Sequence, residues 1–292
     1  MIDRDVTTHD GRTLRVRDDG DPAGVPVLTL HGMPGARLVH EPDVERARAR
    51  GVRLISYDRP GYAGSDRLEG RNVADCAGDV RAIADALGLR RLAVWGVSGG
   101  GPHAAACAAL LGGLVPAVGV IASGAPYGAP KLDYFAGMGE LNVDDTKLYF
   151  SDPAAALAKT EEDRREMLDG DLEATLAMLS SLLAPVDAEV LTGQLAESML
   201  EQTKTGLAPG IGGWWDDNVA MLRDWGFGLT QIRTPVLVMH GRHDRFVPFA
   251  HGEWLAANIP GAQARLFDDE GHLSLLVNHL DELHDWLLER MA

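Results

Sequence analysis

Residues 92–102 read LAVWGVSGGGP, and this stretch decides the fold. Leu92–Trp95 is apolar throughout and predicts a buried strand, whereas Gly99–Leu111 predicts a helix. Ser98 lies between the two on a turn flanked by glycines, which is where a nucleophilic serine must stand to clear the sheet. The start of the following helix offers backbone N–H groups to developing negative charge. Ser98 is therefore the candidate nucleophile, and the alternative is a glycine-rich turn with an incidental serine.

The sequence around this stretch alternates short apolar runs with helical patterns, which favours a parallel sheet with helices on both faces. The predicted strands are Thr13–Arg17, Val25–Leu30, Val52–Tyr57, Leu92–Trp95, Ala117–Ala122, Pro235–Met239 and Ala264–Phe267. The predicted helices around them are Leu38–Arg50, Val73–Leu87, Gly99–Leu111, Pro248–Asn258 and Leu280–Arg290.

The alternation of predicted strands and helices stops between residues 126 and 228, where helical patterns dominate and no convincing strand occurs. The clearest patterns cover Asp152–Leu168, Leu172–Leu183 and Ala188–Gln202. A helical block inserted between two strands of one sheet is the simplest interpretation. We predict an α/β core domain formed by 1–125 and 229–292, with a helical cap formed by 126–228.

The whole-chain charge limits the classes of partner. The chain has 292 residues and a formal net charge of −16, so a nucleic acid or an anionic membrane would repel it. The two cysteines, Cys76 and Cys107, indicate no disulfide framework. The N-terminal MIDRDVTTHDGR lacks the apolar core of a secretory signal, and glycines and prolines interrupt the uncharged stretch 92–130. We expect a cytoplasmic monomer or homodimer that acts on a small molecule.

Two further loops supply the groups that a nucleophilic serine needs, a base and an acid that orients the base. Asp244 follows the strand Pro235–Met239, and His272 follows the strand Ala264–Phe267. The order serine, acid, histidine is the one expected for a serine on this kind of turn. Because parallel strands end at a common edge of the sheet, the three loops should meet there. We predict that Ser98, Asp244 and His272 form a catalytic triad.

Other side chains compete for these roles. Asp268 and Asp269 are alternative acids, but they lie very close to His272 in sequence and fit solvated turn residues better. His103, on the helix after the serine, fits a packing or pocket residue better than a base. The remaining candidates form a cluster of His240, His243, Asp244 and His251. The spacing of these residues matches no zinc-binding motif. We therefore expect no metal, and a serine triad requires no organic cofactor.

The motif HGMPG, residues 31–35, again follows a strand directly and is the candidate for the second half of an oxyanion hole. Such a hole needs two donors aimed at one point. The backbone N–H groups of Gly99 and Met33 are the two candidates, since Pro34 has no N–H. The alternative for this motif is a plain turn at a strand end.

Together these motifs resemble the α/β-hydrolase superfamily, in the expected order and across nearly the whole chain. They are HGMPG (31–35), YDRPGYAGSD (57–66), GVSGGGP (96–102), HGRHDRFVP (240–248) and EGH (270–272). The resemblance implies an eight-stranded, mostly parallel sheet with a helical cap inserted before the acid-bearing strand. The predicted insertion at 126–228 matches that plan.

The resemblance leaves several activities open. The DRPGYAGSD run looks like epoxide hydrolases and haloalkane dehalogenases, but those enzymes use an aspartate where this chain has Ser98, which favours ester, lactone or thioester hydrolysis. Prolyl iminopeptidases look similar, although they usually have a second glycine where this chain has Met33. Carbon–carbon hydrolases and cofactor-free haloperoxidases share the triad. Some hormone receptors of the superfamily also keep it, so a ligand-binding role is a further alternative.

The cap is expected to close over the site and form the substrate pocket. The candidate lining residues of this pocket are Tyr127, Trp214 and Trp215 from the cap and Phe246 from the core. Aromatic walls favour an apolar or aromatic ester or lactone as substrate. Gly210, Gly212 and Gly213, beside the tryptophans, form either a hinge or a tight loop, and we favour the loop.

Overall fold

Eight strands form one sheet in the computed structural model, which describes residues 1–292. In chain order the strands are β1 (Ile2–Thr7), β2 (Thr13–Gly20), β3 (Val25–Leu30), β4 (Val52–Tyr57), β5 (Ala93–Val97), β6 (Val118–Ile121), β7 (Val236–Gly241) and β8 (Gln263–Phe267). Their order across the sheet is β1-β2-β4-β3-β5-β6-β7-β8. The pairs β1–β2 and β2–β4 are antiparallel and all other neighbours are parallel. The predicted mostly parallel sheet is confirmed.

The helices are α1 (Glu41–Ala49), α2 (Cys76–Ala86), α3 (Gly100–Leu110), α4 (Glu140–Ser151), α5 (Pro153–Asp169), α6 (Leu172–Met178), α7 (Pro185–Val190), α8 (Gly193–Leu207), α9 (Gly212–Met221), α10 (Phe249–Asn258) and α11 (Ser274–Met291). Six of them, α4–α9, lie between β6 and β7 without an intervening strand, and we call them the inserted helices. None of the helices is both long enough and apolar enough to cross a bilayer.

The core has two parts, one on each face of the sheet. Side chains of α2, α3 and α10 pack on one face, and those of α1 and α11 pack on the other. Alternate residues of a strand point to opposite faces. Val94 accordingly belongs to the first part, whereas Ala93 and Trp95 belong to the second. Burial on both faces explains why the central strands are apolar throughout.

Several boundaries differ from the prediction. β1 was not predicted, because it is an edge strand with only Val6 buried. The predicted helix Ala188–Gln202 is broken into α7 and α8 before Gly193, whose φ of +51° suits glycine. Gly212 and Gly213 begin α9 and do not form the favoured loop, whereas Gly210 lies before the helix with φ of +139°.

The inserted helices approach the core most closely at glycines. A Cβ on Gly206 of α8 would lie 2.1 Å from the Gly35 carbonyl oxygen. A Cβ on Gly213 of α9 would lie 2.6 Å from the Tyr62 ring. Real Cβ atoms do not fit at such distances, so both contacts require glycine on the inserted side.

A buried ion cluster also joins the inserted helices to the core. Asp217 of α9 is fully buried and accepts from Arg59 Nη2 at 2.7 Å and from Arg71 Nη2 at 2.7 Å. His103 of α3 contacts the same carboxylate at 3.3 Å. Burial alone would raise the pKa of Asp217, but the two arginines outweigh it and hold that pKa well below the usual range.

Replacing Asp217 with alanine should destabilise the protein strongly, because Arg59 and Arg71 would stay buried without a counter-charge. We expect a loss of about 3–5 kcal/mol in the free energy of unfolding, measured by urea denaturation. Asp268→Ala is the matched control: it removes a solvent-exposed ion pair with Arg242 and should cost less than about 1 kcal/mol. Equal losses in the two variants would contradict a structural role for the cluster.

Candidate active site

Ser98 stands on the turn between β5 and α3 in a left-handed conformation, with φ of +54°. This region is unfavourable for a residue with a side chain and persists only where the surroundings enforce it. A Cβ on Gly96 would lie 2.1 Å from the Gly100 oxygen, and one on Gly100 would lie 2.2 Å from the Leu30 oxygen. The glycines therefore let β5, β3 and α3 close on the turn and hold the serine at the edge of the sheet.

The loops after β7 and β8 bring Asp244 and His272 together. His272 Nδ1 donates to Asp244 Oδ2 at 2.7 Å, and both residues are buried. The second carboxylate oxygen of Asp244 accepts from the backbone N–H of Val247 at 2.8 Å, which fixes its orientation. Asp268, the alternative acid, is instead bound to Arg242 in solvent. This arrangement leaves His272 Nε2 free to act on a substrate.

The electrostatics of this pair suit a base and its orienting acid. Burial acts to raise the pKa of Asp244, but His272 and His240 lower it by more, so that the pKa is about 2. Burial lowers the pKa of His272, but the Asp244 carboxylate outweighs it and the pKa is raised. The carboxylate is thus charged at neutral pH, and it makes the imidazole a stronger base.

Ser98 and His272 line one cavity, although their side chains do not hydrogen-bond to each other in this structure. We call it the sheet cavity; it has a volume of about 230 Å³ and runs between the sheet, α1, α8 and α11. A second cavity of about 210 Å³, the helical cavity, lies beneath α4, α5, α6 and α9. Met33, Pro34, Ser98 and Phe246 line both, so the two cavities meet at the serine.

The two predicted oxyanion donors are neighbours. A Cβ on Gly99 would lie 2.4 Å from Met33 Cγ, and neither backbone N–H donates to another atom of the chain. The loop of Met33 is held by Arg59, whose guanidinium donates to the carbonyls of His31 and Gly32. These bonds fix the peptide group between Gly32 and Met33, whose N–H makes no hydrogen bond within the chain. Sequence reasoning missed this role of Arg59, for which the only signal was an arginine in the DRPG motif.

Only some of the predicted pocket residues line a cavity. Trp214 lines the helical cavity, and Phe246 stacks on the His272 ring with centroids 4.6 Å apart. Tyr127 lines neither cavity; it is 38% exposed and stacks on Phe150. Trp215 also lines neither and packs on Tyr149 instead. Consecutive helical residues point about 100° apart, so Trp214 and Trp215 cannot face the same space.

The helical cavity is also more polar than predicted. Its wall is apolar at Met33, Met138 and Trp214, but Asn142, Asp145, Asp163 and Asn218 line it as well. Asp145 and Asp163 both pair with Lys159 at 3.1 and 2.6 Å. A group bound here would therefore meet hydrogen-bonding side chains beyond the apolar wall.

Asp187 is a further residue of the site that sequence reasoning missed. It lies in α7, is fully buried, and accepts from the backbone N–H groups of His272, Leu273 and Ser274 at 2.8–3.0 Å. A Cβ on Gly271 would lie 2.4 Å from its carboxylate. Asp187 thus caps the N-terminus of α11 from outside the helix and fixes the loop of His272. It also explains why α11 begins at Ser274, six residues before the predicted Leu280.

The other histidines of the predicted cluster either bind within the protein or face solvent. His240 Nε2 donates to the Val247 carbonyl at 2.8 Å. His251 accepts from the Ala125 N–H and donates to the Tyr134 carbonyl. His243 is exposed. No three histidine, cysteine or carboxylate side chains gather in a way that could hold a metal ion.

This fold and this edge-of-sheet site define an α/β-hydrolase. The model of the α/β-hydrolase fold family matches residues 25–279, and the chain belongs to that family. A 2-hydroxy-6-oxononadienedioate/2-hydroxy-6-oxononatrienedioate hydrolase of Cupriavidus pinatubonensis (strain JMP 134 / LMG 1197) is 31% identical over 92% of this chain and 88% of its own. An AB hydrolase superfamily protein of Bacillus subtilis (strain 168) is 29% identical over 91% of both chains. A thermophilic esterase from Thermogutta terrifontis has the same fold, with a TM-score of 0.72 and 21% identity over the whole of both chains.

Replacing Asp187 with alanine should impair catalysis more than folding, because the loop of His272 loses three hydrogen bonds. We expect kcat/KM on a chromogenic ester to fall about 10²-fold, the effect of a small misplacement of a reacting group. Asp152→Ala is the control, since Asp152 is the N-cap residue of α5 among the inserted helices and accepts from the Ala155 N–H without contacting the loop of His272. A similar loss in both variants would mean that capping in general, and not the His272 loop, carries the effect.

The pH profile should report His272. The base must be neutral to act, and its pKa is raised, so kcat/KM should fall with decreasing pH around a midpoint above 6.5, the ordinary value. In Asp244→Asn, the group that raises the pKa of His272 most is gone, so the midpoint should move to lower pH while kcat drops about 10⁴-fold. Asp268→Asn should leave both unchanged. A midpoint that stays in place in Asp244→Asn would contradict the pairing.

Proposed function

We propose that this chain is a serine hydrolase of carboxylic esters or lactones that works through an acyl-enzyme. The observation that carries the proposal is the buried Asp244–His272 pair, which opens onto the same cavity as Ser98. An orienting carboxylate, an imidazole and a serine on a strained turn are the parts of a nucleophilic acyl-transfer site.

In the proposed mechanism, His272 Nε2 takes the hydroxyl proton of Ser98 as Oγ attacks the substrate carbonyl. The backbone N–H groups of Met33 and Gly99 stabilise the resulting oxyanion. When the tetrahedral intermediate collapses, the imidazolium gives its proton to the leaving oxygen and an ester with Ser98 remains. His272 then takes a proton from water, the hydroxide attacks this ester, and the acid leaves as the proton returns to Ser98.

The two cavities support a substrate that extends to both sides of the serine. Met33, Met138 and Trp214 in the helical cavity suit an apolar or aromatic group. The sheet cavity is similar in volume, at about 230 Å³ against about 210 Å³. An ester with substantial groups on both sides of the carbonyl fills this space better than an acetate of a small alcohol.

The test is hydrolysis of p-nitrophenyl esters from acetate to decanoate by the wild type and by Ser98→Ala. We expect turnover by the wild type and a loss on the order of 10⁴-fold or more in the variant, because the nucleophile is gone. Ser180→Ala, which removes an exposed serine, is the control and should behave as wild type. Activity that survives in Ser98→Ala would rule out this nucleophile.

Carbon–carbon bond hydrolysis is the second candidate, and the relative from Cupriavidus pinatubonensis is the observation that favours it. Both reactions use a serine, an acid and a histidine, so the substrate must decide between them. Loss of the dienol absorbance of a 2-hydroxy-6-oxodienoate would report this activity. Ser98-dependent cleavage of that substrate with a kcat/KM above that of every ester would replace the ester proposal.

A further inference from the structure

The sheet cavity extends from the catalytic groups to a second polar group of residues. Ser98 and His272 line it, and so do Trp95 and His284, which lie further along β5 and α11 and which we call its far end. Trp95 precedes Ser98 by three residues of β5, which corresponds to about 10 Å along an extended strand. The polar residues Thr29, Ser56, Gln202 and Thr203 also line the cavity. Its apolar lining, which we call the apolar wall, includes Leu38, Val39, Val97, Leu276, Val277 and Leu280.

The polar atoms at the far end have no partner. Trp95 is only 5% exposed and His284 only 1%. Neither Trp95 Nε1 nor either ring nitrogen of His284 makes a hydrogen bond within the protein. By contrast, three other indoles are satisfied: Trp286 donates to Gln263, Trp254 to the Pro130 carbonyl and Trp225 to the Met221 carbonyl. Because a buried polar group without a partner is unfavourable, native proteins leave few of them. His40 Nε2, on another residue that lines the cavity, also lacks a partner. Unpartnered nitrogens on several residues of one cavity wall indicate a bound group.

The charge at this end defines the chemistry of that group. Burial lowers the pKa of His284 to about 4, so its ring is neutral at neutral pH and offers one N–H and one acceptor nitrogen. The nearby Arg46 and Arg50 are both paired with Asp281. His40 and Asp43, which also line the cavity, face each other at 3.5 Å. With two N–H donors and no free cation, this end suits an uncharged oxygen, whereas a carboxylate would be buried without a counter-charge.

The position of His272 indicates which part of the substrate enters. His272 lines the sheet cavity and is absent from the wall of the helical cavity. In ester cleavage the imidazolium protonates the leaving oxygen, so the leaving alcohol must lie on the side of His272. This assignment rests on the proposed function, and it places the acyl group in the helical cavity.

We propose that the sheet cavity binds the alcohol part of an ester with a linear chain of medium length and an uncharged oxygen, a ketone or a hydroxyl, near its far end. Trp95 and His284 hydrogen-bond to that oxygen. The apolar wall binds the chain between the reacting carbonyl and this group.

The test compares octyl acetate with its methyl-ketone analogue, in which the carbonyl is next to the chain end. We expect the wild type to prefer the ketone by about 3- to 10-fold in kcat/KM, the worth of one or two hydrogen bonds. Trp95→Phe and His284→Leu should each abolish most of this preference, measured within each variant as the ratio of kcat/KM for the ketone to kcat/KM for octyl acetate. Trp286→Phe also removes an indole N–H, but outside the cavity, and should keep the preference.

Calorimetric binding of the two product alcohols to Ser98→Ala separates this proposal from the proposed function. Tighter binding of the keto alcohol that depends on Trp95 would support the polar end even if neither acetate is hydrolysed. Serine-dependent hydrolysis with no preference in the wild type, and no effect of either substitution, would mean that the end holds only water and would overturn the proposal. Should Trp95→Phe fail to fold, judged by circular dichroism, His284→Leu decides alone.

Discussion

The structure depends on close packing at the turn between β5 and α3, where no side chain larger than glycine fits at two positions. Ser98 adopts a left-handed backbone there, and Gly96 and Gly100 lie so close to neighbouring carbonyls that no Cβ fits. This crowding brings three consecutive features to one place: the strand end, the serine and the first N–H groups of the helix. The loops after β7 and β8 reach the same edge because their strands are parallel to β5. The geometry of the site therefore follows from close packing at one turn.

The inserted helices contribute two buried carboxylates to this edge, and neither faces solvent. Asp187 binds three backbone N–H groups at the start of α11 and fixes the loop of the candidate base. Asp217 binds Arg59, whose guanidinium also holds the carbonyls next to Met33. One carboxylate thus supports the loop of the candidate base, and the other supports the loop of the candidate oxyanion donor Met33. The inserted helices therefore hold these two loops in place as well as lining both cavities.

The sequence predicted those features that depend on local pattern. The bounds of β3 and β4 were predicted without error, and the positions of Ser98, Asp244 and His272 after strands predicted their convergence at one edge. β1 was missed because an edge strand with one buried side chain has no clear pattern. The Asp187 and Asp217 contacts join residues 85 and 158 positions apart, and nothing local in the sequence indicates them. Tyr127 and Trp215 were assigned to the pocket by residue type, which does not reveal the direction of a side chain.

The sharing of carboxylates between the inserted helices and the core limits how new specificities can arise in this chain. Exchanging the whole helical block for that of a relative would alter the substrate walls and, at the same time, remove the supports of the His272 and Met33 loops. Variation is less costly at wall positions such as Trp214 and Met138, which support no catalytic loop. Natural or laboratory evolution of this protein should therefore proceed by single wall substitutions, with the Asp187 and Asp217 anchors retained.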